Sequence, residues 1–111
     1  MSRVMCIPVD AQGQVDPRWG WALRVALVTV EDQKIAGWNE VDVHWDALHD
    51  QSGEGQHHAR VAKFLMDNGV TDVVASHMGQ GMARMLASMR LEIHLDASGD
   101  AREVIERLIR E

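Results

Sequence analysis

The chain has a single cysteine, no apolar run near the length of a membrane span, and fewer cationic than anionic side chains. Each shortage closes off a class of function. Cys6, set in the run Val4-Met5-Cys6-Ile7, makes no intramolecular disulfide and no multi-thiolate cluster site, and reads as a small buried hydrophobe. A membrane-crossing helix needs about 20 consecutive apolar residues, which no segment supplies. The start Met1-Ser2-Arg3-Val4 runs straight into a strand-like segment without a signal peptide's apolar stretch, so a cytoplasmic protein off the membrane is expected. With 11 Lys and Arg against 17 Asp and Glu, the net charge of −6 opposes a nonspecific nucleic-acid surface. Its 111 residues, 46% hydrophobic and 25% charged, suit one domain over 1–111 with one core, and there is no internal repeat.

What is present changes period part-way along. Val4 to Val9 reads as a first strand buried on both faces, and Gln12-Gly13-Gln14 turns the chain. Arg24 to Glu31 alternates, and Asp32-Gln33 separates it from a third strand that starts at Lys34-Ile35-Ala36 and runs past Trp38 to Val41 and Val43. The polar stretch Asp46 to Gln56 reads as a long mobile loop. A helix starting near Gln56 follows, with Val61, Ala62 and Leu65 on one face and Asn68-Gly69 as its stop. Asp72 to Ser76 is a short buried strand, Met82, Met85, Leu86 and Met89 share one face of a second helix, and Leu91 to Leu95 alternates as a fifth strand. Asp100 and Glu103 form a D-x-x-E capping box before Val104, Ile105, Leu108 and Ile109. This order predicts an α/β fold: a mixed five-stranded sheet, helices on both faces, and ligands beyond the carboxyl ends of the parallel strands.

Two turns stand where such a site belongs: Gly53-Glu54-Gly55-Gln56-His57-His58 and Ser76-His77-Met78-Gly79-Gln80-Gly81. Helix starts offer unpaired N–H groups and partial positive charge to anions, and neutral imidazole suits transition metals. His77, at the end of the fourth strand, is the first candidate metal ligand, with His57 and His58 as helpers. His58 falls at the edge of the buried stripe and His57 turns toward the sheet top or solvent. The competing reading makes all three solvated or capping histidines. Gly79, Gln80 and Gly81 offer backbone donors, although a tight turn accounts for the glycines equally and no Walker lysine follows. Trp19 and Trp21, flanking Gly20, form either a wall of the site or a dimer contact, while Trp38 and Trp45 read as packing on the third strand. Met78, Met82, Met85 and Met89 read as a core stripe rather than soft copper ligands. His44, Asp46, His49 and Asp50 offer a second set of possible ligands, but nothing in their spacing fixes tetrahedral geometry, and a solvated loop is the favoured reading.

Enzymatic alternatives fare poorly. A two-metal nuclease needs several carboxylates holding ions about 4 Å apart. Asp10 and Glu54 could start such a set, but His77 occupies the strand end where a further carboxylate is wanted. Ser76 and His77 are the one adjacent nucleophile and base, and neighbours in a strand point to opposite faces.

In Met5-Cys6-Ile7-Pro8-Val9-Asp10, Val15-Asp16-Pro17-Arg18-Trp19-Gly20-Trp21-Ala22, Gly53 to Leu65, Gly69-Val70-Thr71-Asp72-Val73-Val74, Met78-Gly79-Gln80-Gly81 and Leu95 to Asp100, the chain resembles the dinitrogenase iron-molybdenum cofactor biosynthesis family. The resemblance implies a three-layer ribonuclease H-like fold and a non-catalytic carrier of iron-molybdenum cofactor or an iron-sulfur cluster, with cluster donor and acceptor proteins as partners. Arg18 stands where the family commonly has His, and Trp19 where it has Phe, so Arg18 becomes a candidate partner for an anionic cluster and Trp19 a cofactor-contacting wall. Two alternatives stay open: a module for a small anionic metabolite or nucleotide, and a ligand-free interaction module able to form a homodimer through an edge strand.

Overall fold

The computed structural model describes residues 2–51 and 53–111, without the side chains at 49, 50, 51 and 54. The described elements are β1 (Ser2–Val9), a 3-10 turn (Trp19–Trp21), β2 (Arg24–Glu31), β3 (Lys34–Asp42), α1 (Trp45–Gln51), α2 (Glu54–Asp67), β4 (Asp72–Val74), α3 (Gln80–Ser88), β5 (Glu92–His94) and α4 (Ala101–Ile109). They form a five-stranded sheet in the order β3-β2-β1-β4-β5. β1 pairs antiparallel with β2 and parallel with β4, and β4 pairs parallel with β5, so the sheet is mixed as expected.

Alternation along the central strand divides the core in two. Met5 and Ile7 face one way, with Val28, Val74, Val104 and Ile105, under α4. Cys6 faces the other, with Val25, Val73, Val61, Leu65 and Leu86, under α2 and α3. Burial on both faces is why the strand reads as a continuous apolar run. The hairpin turns on Asp32 and Gln33, at φ of 53° and 62°, the left-handed pair that a two-residue connection demands. Asp100 caps α4 by accepting from Arg102 N at 3.0 Å, with Glu103 in the first turn and Arg107 in the last.

The expected loop from Asp46 to Gln56 is corrected. Residues 45–51 form α1, and α2 starts at Glu54 rather than near Gln56. The cause is Trp45, 2% exposed, whose ring meets Trp19 edge-on at 5.3 Å and Phe64 at 5.7 Å. Trp45 therefore packs from a helix, not from the third strand. β3 stops at Asp42, and the amides of Val43 and His44 both donate to Leu23 O before Trp45 N donates to Ala22 O. The ligand set of His44, Asp46, His49 and Asp50 falls in this region, and the side chains of His49 and Asp50, like that of Glu54, lie outside the described ones. Asp10 caps the turn after β1, accepting from Gln12 N and Gln14 N at 2.9 Å, which is a structural task.

Candidate functional site

β4 ends at Val74, and the chain then passes over the sheet top to Gly79, the N-cap of α3. The segment 75–79 runs beside the turn after β1, where Arg18 and His77 form a parallel bridge. The Trp19–Trp21 turn is in turn tied to α2, because His57 Nε2 lies 2.7 Å from Gly20 O. Three separate segments thus enclose a cleft of about 560 Å³. Arg18, Trp19, His57, His58, His77, Gly79, Gln80 and Gly81 all line it, together with Trp21, Met78 and Met82.

The histidines differ in kind. His57 is 1% exposed, so of the two directions expected for it the solvent is ruled out, and it lines the cleft over the sheet top. With α2 starting at Glu54, His57 leads the row His57, Val61, Leu65 at successive i+4 positions and packs edge-on to Trp45 at 6.5 Å. Its Nδ1 is 3.0 Å from Arg60 Nη1. His58 is half-buried and His77 exposed, both on the cleft. Among the described residues, no group of three His, Cys, Asp or Glu side chains is placed to hold one metal ion.

The start of α3, at Gly79, carries neither a side-chain cap nor an acidic residue in its first turn, in contrast to Asp100 and Glu103 on α4. Its leading N–H groups and the positive end of the helix dipole are left to the cleft. Arg18 stands across from it, and its hydrogen bond to Asp16 pushes the guanidinium further above its ordinary range, so its charge is permanent. Trp19 is 2% exposed, with its indole Nε1 buried and unpartnered. Met82 and Leu86 are buried core residues of α3, and Met78, Met85 and Met89 pack against the same cluster, so the methionine stripe is structural.

Sequence reasoning missed two contributors. Asp16, 5% exposed, chelates Arg18 from two residues away; the D-x-R spacing was the available signal. Trp45 is the buttress behind Trp19 and His57, and its i+3 spacing to Leu48 was the trace of α1.

The family model described as dinitrogenase iron-molybdenum cofactor matches residues 1–111. Among solved structures, the apo form of the orange protein from Desulfovibrio gigas superposes with a TM-score of 0.75 at 18% identity, over 97% of this chain and 88% of that one. A candidate NifB protein from Thermotoga gives 0.73 at 20% identity over 97% and 88%. A candidate dinitrogenase from Methanocaldococcus jannaschii gives 0.72 at 12% over 99% and 90%. At these identities the likeness establishes the fold. No curated protein sequence matches the chain.

Proposed function

Because this chain belongs to the dinitrogenase iron-molybdenum cofactor family, a family of cofactor-related binding proteins, we propose that its cleft receives a preassembled iron-molybdenum or iron-sulfur cluster and passes it on without turning it over. The observation that carries this reading is the convergence of Arg18, His58, His77 and the uncapped start of α3 on one cleft of about 560 Å³. That volume far exceeds a single ion and accommodates a cluster with its ligands.

Within that reading the roles separate. His77, exposed at the lip, is the first ligand to the cargo, and His58 the second. His57, with both ring nitrogens engaged, holds the wall of the cleft and helps from behind. Arg18 and the amides of Gln80 and Gly81 offset negative charge, and Trp19 with Trp21 shields one side. The same donors suit a phosphate or carboxylate, which makes a small anionic metabolite the second reading.

An anaerobic titration of purified protein with isolated iron-molybdenum cofactor, and separately with an iron-sulfur precursor, tests this by absorbance and metal analysis. Stoichiometric uptake that is lost in His58→Ala/His77→Ala, with an unchanged melting curve, is the expected result. No uptake, with thermal stabilisation by phosphate or carboxylates instead, would replace it with the metabolite reading.

A further inference from the structure

Arg18 is 61% exposed at its side chain, yet it is not a free arm. Its backbone N–H and Nε–H donate to Asp16 Oδ1 at 3.0 and 3.2 Å, and its Nη2 donates to Asp16 Oδ2 at 3.2 Å. The Asp16 side chain is only 6% exposed, and its own amide donates to Pro8 O at 2.9 Å, near the end of β1. The guanidinium is therefore clamped to the central strand through a buried carboxylate. A guanidinium has five N–H donors; with Nε–H and one hydrogen of Nη2 engaged, three are left for a ligand. Two-point attachment also fixes the plane of the fork, which a single contact would not. The backbone bridge between Arg18 and His77 brings the two residues side by side on the cleft lip.

We propose that Asp16 is the positioning residue of the cleft: it presents Arg18 as a rigid three-donor receptor, and so selects an anionic cargo with several acceptor atoms over a neutral ligand or a bare cation. This rests on the cargo-binding reading above. The arrangement trades charge for geometry, since Asp16 offsets part of the positive field that Arg18 brings to an anion. Asp46 supplies the contrast. It also acts on Arg18 as a negative charge, but its buried Oδ1 makes no hydrogen bond.

Asp16→Asn and Asp46→Asn each remove one negative charge near Arg18. A cleft governed by net charge alone would bind an anion more tightly in both. Anaerobic titration with isolated iron-molybdenum cofactor, at several salt concentrations, separates the two accounts. Asp16→Asn is expected to weaken binding roughly tenfold, because its side-chain nitrogen cannot accept from Nη2 and the second attachment that fixes the plane of the fork is lost. Asp46→Asn is expected to bind as wild type or more tightly. Arg18→Lys, which keeps the charge and loses the fork, is expected to weaken binding as Asp16→Asn does while keeping the salt dependence of wild type. If Asp16→Asn fails to melt cooperatively, Arg18→Lys decides. Asp16→Asn binding as tightly as wild type, or Arg18→Lys doing so, would overturn the positioning role alone; a wild-type protein that takes up no cofactor would overturn the cargo reading together with it.

Discussion

His57 Nε2 sits 2.7 Å from the carbonyl oxygen of Gly20, joining the first turns of α2 to the wall of the cleft. A carbonyl only accepts, and the Arg60 guanidinium at Nδ1 only donates, an arrangement that suits the tautomer with its hydrogen on Nε2. An imidazole so occupied works as a brace. His57→Ala removes a buried hydrogen bond and leaves a cavity beside Trp45, and should lower stability by about 2–4 kcal/mol in urea unfolding. His58→Ala, at a half-buried position, should cost about 1 kcal/mol or less. Equal losses for the two would contradict the brace.

Trp45 should be the costliest aromatic to lose. It is 2% exposed and touches Trp19, His57 and Phe64, so Trp45→Ala is expected to destabilise by about 3–5 kcal/mol. Trp21, 41% exposed on the cleft, is expected to cost about 1 kcal/mol or less when replaced by Ala. Thermal melts of the two variants compare them directly.

The contrast between those tryptophans marks where the sequence was legible. The strands read as apolar runs or alternations and α2 to α4 carry a period of 3.6, because each has one face or two faces in the core, and such burial writes itself into the order of residues. The glycine-led helix starts were legible for the same reason, and all the candidate site residues, from Arg18 to Gly81, line one cleft. α1 was not legible: its seven residues hold only Trp45 and Leu48 as apolar anchors, too few to outweigh the polar residues between them. The burial of His57 was not legible because both His57 and His58 fit the stripe of α2, and only the tertiary contacts with Gly20 and Trp45 select the deeper one. Asp16 was missed as a partner because its D-x-R spacing to Arg18 equally suits a plain turn, and only the fold buries the carboxylate.

Asp72 predicts an acid limit to stability. Burial works to raise its pKa, but hydrogen bonds from Arg3, Thr71 and His94 outweigh this and hold the carboxyl below its ordinary range. A depressed folded-state value means stabilisation that is complete above the unfolded value of about 3.9 and lost as pH falls through the lower folded value. Wild-type stability should thus decline below about pH 4. Asp72→Asn should be less stable at neutral pH by about 2–3 kcal/mol and flatter across the acid range. Urea midpoints from pH 7 down to pH 2 give both quantities.

Cys6 should be inert in the native protein. It is fully buried in the central strand, and desolvation pushes its thiol far above the ordinary range, so the thiolate that reacts is scarce. Alkylation followed by mass spectrometry should show no labelling in buffer and one label per chain in denaturant. Rapid native labelling would mean that β1 opens.

The central claim is that the cleft between the Trp19–Trp21 turn, the start of α2 and the start of α3 is where the cargo sits. The most direct measurement is an anaerobic titration of uniformly 15N-labelled protein with an iron-sulfur cluster or iron-molybdenum cofactor, followed amide by amide. The account predicts that shifts and paramagnetic broadening centre on residues 18–21, 57–58 and 77–82, with the β2–β3 hairpin and α4 unaffected. Perturbation centred on the hairpin or α4, or none at stoichiometric cofactor, would contradict it.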